Sequence, residues 1–320
     1  MARERPLRSE PVSDAPAGGR PPKQATKPSS GSKLRLPRRR PLRQAILTSF
    51  SRCLGVARRC ARRAADDPVL AVHEYRKALR RARAVVALLS PALGKPATRG
   101  VVAHLQAAFR MTNAFRDADI LLQTLRSVPV APEDDLARHA IEVALEFEQR
   151  RTRMETAETL AHGIRRLSAL PAALDVVLDP GFSVRELERG LARSRKRERR
   201  AFGRARETRR DEDLHEWRKR VKELRYQVEL LASTGSPELK KREKALGQLA
   251  QDLGNVTDLI VLRREIARRE ADGTVPPAHG MTERIRRLST ERSRELLERG
   301  AGLFEGDPKR FAEQVLGERG

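Results

Sequence analysis

From Leu42 onward, apolar residues recur at three- and four-residue spacing, the period of a helix that turns one face inward. Prolines and glycines gather in short breaks between these runs. The pattern predicts helices over 42–65, 69–89, 97–127, 134–169, 183–209, 213–233, 236–271 and 281–304, with joints such as Asp66-Asp67-Pro68 and Ser233-Thr234-Gly235. No segment reads convincingly as a strand, so the fold class is all-α. The stretch from Pro171 to Ser183 breaks the pattern near the middle and is the best internal boundary. Residues 1–41 lack any hydrophobic period and are rich in Pro, Gly, Ser and basic side chains, the signature of a disordered basic N-terminal arm.

The helical text repeats itself. HEYRKALRRAR, beginning at His73, returns as HEWRKRVKELR beginning at His215, 142 residues later. Farther along, FRMTNAFRDADILLQTL from Phe109 corresponds to LAQDLGNVTDLIVLRRE from Leu249, with Asp117 and Asp258 in matching places. Two related four-helix repeats, 42–180 and 181–320, are the simplest account. Their apolar faces would pack into one pseudo-symmetric body spanning 42–320, with neither half stable alone.

Charge narrows the function. The chain has 67 Lys+Arg against 43 Asp+Glu, a formal net charge of +24, and a sequence pI near 11.2. The first 41 residues hold 11 of those bases and 3 of those acids, so the helical body itself carries +16. Such a field implies a polyanionic partner: a phosphate polymer, a nucleic acid or an anionic membrane. No apolar stretch is long enough to span a membrane or to act as a signal sequence. The two cysteines, Cys53 and Cys60, stand seven apart on one helix, about 10 Å along its axis, too far to pair. Both features suggest a cytoplasmic protein.

The repeated segment places its charges in register. At about 100° per residue, positions 0, 3, 7 and 10 share one helical sector. In the first copy these are His73, Arg76, Arg80 and Arg83, flanked by Lys77; in the second they are His215, Arg218, Lys222 and Arg225, flanked by Lys219. Val72, Leu79 and Ala82, and Leu214, Val221 and Leu224, would anchor the opposite side in the core. Like charges in a row repel, so an anion should face them. Guanidinium groups donate paired hydrogen bonds to phosphate oxygens, while lysine adds a mobile point charge. The duplicated histidines would orient the arginines or donate to phosphate themselves. Arg193, Lys196 and Arg200 could form a second basic wall. The plain alternative for each run is a solvated face partly neutralised by nearby glutamates.

Catalytic patterns are missing. His-Glu is followed at the fifth position by Lys77 or Lys219, which rules out the zinc pattern HExxH. There is no phosphate-binding G-x-x-x-x-G-K-[ST] loop, no His/Cys cluster with zinc spacing and no G-x-S-x-G nucleophile. Asp117 and Asp119 offer two carboxylates to magnesium, but pairing with an arginine on a neighbouring helix is the better expectation, for Asp258 as well. No enzyme, metal or cofactor is expected.

The repeated His-x-x-Arg helix running into a basic stretch resembles the CHAD family, the conserved histidine α-helical domain. The resemblance covers residues 42–320 and includes Arg-Asp-x-Asp after the first motif and Leu253, Gly254 and Asp258 after the second. It implies two four-helix bundles about a pseudo-twofold axis. It also implies a basic central surface or pore that binds inorganic polyphosphate, often on bacterial granules. Relatives are often fused to a CYTH triphosphatase domain, whose Glu-x-Glu-x-Lys motif has no counterpart at Glu186-Leu187-Glu188. The chain departs from the pattern at Glu223, which interrupts the second basic run, at Thr257, and in its added arm. Polyphosphate binding is therefore the expected function, with non-specific nucleic-acid binding as the alternative; oligomeric state is not legible.

Overall fold

The computed structural model describes residues 36, 40–129, 131–231, 237–303 and 306–317. Among them are eleven α-helices and no strand: α1 Leu42–Arg62, α2 Pro68–Arg110, α3 Asn113–Ser127, α4 Asp135–Met154, α5 Thr156–Leu167, α6 Leu170–Val177, α7 Val184–Thr208, α8 Asp211–Leu231, α9 Pro237–Ala271, α10 His279–Leu303 and α11 Pro308–Gly317. The all-α class stands. The count of eight helices is corrected to eleven, for local reasons.

The gap expected between 89 and 97 is a kink within α2. Pro91 and Pro96 remove backbone donors, and Gly94 takes a left-handed φ of 73° that a side chain would resist. The helix expected over 97–127 instead breaks at Met111–Thr112, where the Thr112 hydroxyl bonds back to the Phe109 carbonyl at 2.9 Å and competes with the helical ladder. The run 134–169 divides at Glu155 into α4 and α5. The boundary segment 171–183 begins inside a helix, since Pro171 sits in the first turn of α6, where a missing N–H costs nothing. Of the expected arm, Leu36 is buried and its N–H donates to the Leu230 carbonyl at 3.3 Å, so packing starts before residue 42. The other arm residues, apart from Arg40 and Pro41, lie outside the described residues.

The duplication is visible in the packing. α1 lies on α2 and α5 as α7 lies on α8 and α11, and α3 pairs with α4 as α9 pairs with α10. The boundary between repeats at 180/181 is not a boundary between cores. The larger core gathers α1, α2, α5 and α6 with α7, α8, α11 and the first half of α9; the smaller joins α3 and α4 to the second half of α9 and the start of α10. Each core draws on both repeats.

The seam between repeats is where α2 meets α7 and α8. Gly190 of α7 presses on α2 so closely that a β-carbon there would sit 1.8 Å from the Leu88 carbonyl oxygen, which excludes every other residue. Arg81 of α2 and Glu229 of α8, both buried, form an ion pair across the seam. Gln227 donates to the Ala84 carbonyl at 3.1 Å and to Ser194 at 3.0 Å, tying α8 to α2 and α7. The seam therefore holds the two histidine helices side by side.

Candidate functional site

Each histidine helix is anchored by the aromatic residue of its own motif. Tyr75 is fully buried beneath α5, where Gly163 leaves room for its ring. Trp217 is fully buried against Phe202 and Gly300, and its indole donates to Glu198 at 3.0 Å. These rings face the core and are not available to stack on a ligand. With the aromatic inward, Arg76 of the first motif and Arg218 and Lys219 of the second border the space between the helices.

That space is a 710 Å³ cavity shared by α2, α3, α8 and α9. Eight lysines and arginines line it: Arg76, Arg80 and Arg83 from α2, Arg116 from α3, and Arg218, Lys219, Arg220 and Lys222 from α8. His215 lines it too, with four carboxylates, Asp117, Glu216, Glu223 and Asp258. Cations thus outnumber acids two to one.

The acids are not spread evenly. Glu216 holds Arg220 at 2.6 Å and Lys219 at 3.5 Å, and Glu223 holds Arg197 of α7 at 2.9 Å. Arg116 is bound at 2.8 Å by Asp119 of its own helix, so the expectation that Asp119 pairs with a neighbouring helix is corrected: the two are three apart and share a face. Asp258 of α9 does reach across a helix boundary, to Arg218 at 3.5 Å. Arg80, Arg83 and Lys222 make no hydrogen bond or ion pair among the described residues.

These groups pay a visible electrostatic penalty. Burial, reinforced by Arg218 and Arg80, pushes the Lys222 ammonium well below its ordinary pKa. Burial also lowers Arg80, though Tyr226 and Asp258 offset the repulsion of Arg218 and Arg83. A guanidinium stays charged regardless, so what this lowering expresses is charge held where charge is costly. The two basic rows converge.

Seven of the expected site residues line the cavity: Arg76, Arg80, Arg83, His215, Arg218, Lys219 and Lys222. Arg76 is committed elsewhere, however. Its Nη1 donates to the Phe109 carbonyl, the Thr112 hydroxyl and the Asn113 side chain at 3.3, 2.9 and 3.0 Å, and its guanidinium stacks 3.8 Å from the Phe109 ring centre. It fastens the α2–α3 joint.

The other expected residues do not line the cavity. His73 is exposed, in the field of Arg116 and Arg80; Lys77 pairs with Glu74 at 3.0 Å. Arg225 stands about 10 Å farther along α8 than Arg218, beyond the end of the cavity, where it lies over the Tyr226 ring at 5.6 Å and beside Gly247 of α9. Arg193, Lys196 and Arg200 are exposed on α7, whose contribution near the cavity is instead Arg197. Sequence reasoning missed Arg116 and Arg220. Arg116 was in plain view in the Arg-Asp-x-Asp group, where attention went to the acids; Arg220 falls outside the repeated sector.

A family model described as CHAD domain matches residues 48–267. The chain belongs to the CHAD family. The crystal structure of the CHAD domain from the plant Ricinus communis is similar in fold, with a TM-score of 0.61 at 20% sequence identity, covering 91% of this chain and 96% of that one. No curated protein matches the sequence. Within this CHAD domain, no three His, Cys, Asp or Glu side chains among the described residues gather as metal ligands would. No described helix is long and apolar enough to cross a membrane. Both cysteines are free, and burial pushes the Cys53 thiol up to about 12, which leaves it unreactive.

Proposed function

We propose that this CHAD domain binds inorganic polyphosphate in the cavity between its two histidine helices, without catalysing its hydrolysis. The observation that carries this reading is the pairing of Arg80 from one repeat with Lys222 from the other, both partly buried and close enough to repel, with Asp258 nearby but no carboxylate in direct ion-pair contact among the described residues. Unpaired charge in a sheltered place is unfavourable until an anion arrives. A phosphate oxygen between them would accept from both, and a flexible chain of phosphates would extend the contact to Arg83 and Arg116 at either side.

Nucleic acid fits less well. The aromatic rings lining the cavity are Phe109 and Tyr226, and both are covered by the molecule's own arginines, Phe109 by Arg76 and Arg80, Tyr226 by Arg81 and Arg225. With Arg76 already stacked on Phe109 at 3.8 Å and Tyr226 buried, neither ring invites stacking of unpaired bases. A cytoplasmic protein with this site would gather wherever the polymer accumulates, polyphosphate granules included.

Competition between long-chain polyphosphate and duplex DNA, matched for charge and measured near physiological salt, tests the reading. Polyphosphate should win, with affinity falling steeply as salt rises. Joint replacement Arg80→Glu and Lys222→Glu should weaken polyphosphate binding by about 100-fold or more, since each lost charge-assisted contact costs about 1.5–3 kcal/mol. Preferential retention of DNA, or unchanged affinity in the folded double variant, would overturn it.

A further inference from the structure

The outward side of α4 carries an apolar stripe that the fold leaves uncovered. Leu136, Val143, Phe147 and Met154 are 73%, 48%, 66% and 88% exposed. With Ala140, half-buried against the smaller core, and exposed Arg150 between them, they follow the spacing four, three, four, three, four, the seam of a coiled coil. The opposite side of α4 is already used: Ala137, Ile141 and Leu145 are buried in the smaller core. A helix satisfied on one face and apolar on the other is made to meet a second surface.

We infer that the occupant is a second copy of this chain, docked through α4 in antiparallel fashion about a twofold axis that passes between Val143 and Phe147. In that register Leu136 meets Met154 of the other copy, Val143 meets Phe147, and the long stem of Arg150 crosses the small Ala140. Every layer then pairs one seam position with its complement, as an isologous interface requires.

Charge favours the same arrangement. Among the side chains without an ion-pair partner among the described residues, Glu133 and Asp135 outnumber Arg138 at the entrance of α4, and Arg151 and Arg153 outnumber Glu155 at its exit. Antiparallel docking brings each acidic end within about one turn of the other copy's basic end, which also opposes the helix dipoles favourably. A parallel pair would set like charge on like. The acids beside the stripe, Glu142 and Glu146, do not resist self-association, because Arg126 of α3 already binds both at 2.6 Å. One helix pair buries less than the roughly 800 Å² per partner of a standard interface, so the dimer should be concentration-dependent.

Sedimentation velocity on the full chain, free of polyanion, tests this. Monomer at low micromolar concentration should give way to dimer on concentration, and Phe147→Glu should abolish the shift while leaving helical content and thermal midpoint unchanged. A mixture of Leu136→Cys and Met154→Cys chains should cross-link to a heterodimer, whereas Leu136→Cys alone should not. A monomer at every concentration, a dimer that survives Phe147→Glu, or self-cross-linking of Leu136→Cys would each overturn the inference.

Discussion

The two histidine helices share a motif but not a division of labour. In α2, Arg76 is spent on the protein: the break at Met111–Thr112 opens a carbonyl and a hydroxyl, and the guanidinium closes on them and on Asn113. In the second repeat, α9 runs unbroken through the corresponding region, so no such acceptors exist. Arg218 instead lies along α9 where Gly254 leaves space, 3.4 Å from where a β-carbon would be, with one long contact to Asp258. Arginines in matching positions therefore serve structure in one copy and remain available to a ligand in the other. The next basic positions diverge too, for Arg80 rests beside the Phe109 ring at 5.0 Å while Lys222 is buried among Arg218, Arg80 and Arg116, with Asp258 the one acid that offsets them. Duplication preserved the residues, and the neighbouring helices decided their employment.

The sharpest way to break this comparison is to truncate both arginines. Arg76→Ala should lower stability by about 2–4 kcal/mol, because three acceptors lose a charged donor, two of them at a helix joint. Arg218→Ala should cost less than about 1 kcal/mol of stability and about tenfold in polyphosphate affinity. Thermal melts and titrations on both variants decide it, and equal destabilisation would erase the distinction.

Lys222→Met offers a finer probe. Replacing a repelled ammonium by an apolar side chain of similar length should raise the stability of the free protein by about 1 kcal/mol while weakening binding. If it destabilises instead, Lys222 is held by something other than an absent anion.

The smallest expected effect concerns the histidines. His73 is lowered from its ordinary pKa by partial desolvation and then by Arg116, and His215 by partial desolvation and then by Lys219 and Arg218. Both are therefore mainly neutral at pH 7. A bound polyanion favours the protonated forms, so affinity should rise as pH falls below about 6.5, by about fivefold or less, the worth of an exposed ion pair. Free of ligand the sign reverses: the unfolded chain takes up protons more readily, so stability present above about 6.5 is lost as pH falls toward the lowered folded values. Binding isotherms at pH 5.5 and 7.5 for the parent and for His73→Gln with His215→Gln should show the dependence shrinking in the variant.

Much of this was legible in the chain. Three- and four-residue periodicity announces the all-helical class, and the echo of HEYRK in HEWRK locates the two helices that face the cavity. What the pattern hides is tertiary. Nothing in the spacing of Arg76 reveals that Thr112 will open a joint beneath it, nor does an exposed-looking run such as Arg193, Lys196 and Arg200 disclose that α7 turns Arg197 toward the cavity instead. Helix ends went astray where proline sits harmlessly in a first turn, at Pro171, or where a hydroxyl rather than a glycine interrupts the ladder, at Thr112. The swapping of elements between cores is likewise invisible to a reading that proceeds along the chain.

The close approach of Gly190 to Leu88 has a mechanical meaning. It works as a clamp: two rows of positive charge are fixed at a spacing they would not choose, and the holding force comes from the seam behind them. A polyanion entering the gap neutralises the rows without needing to move them, so capture should leave the backbone in place and express itself as hardening against heat.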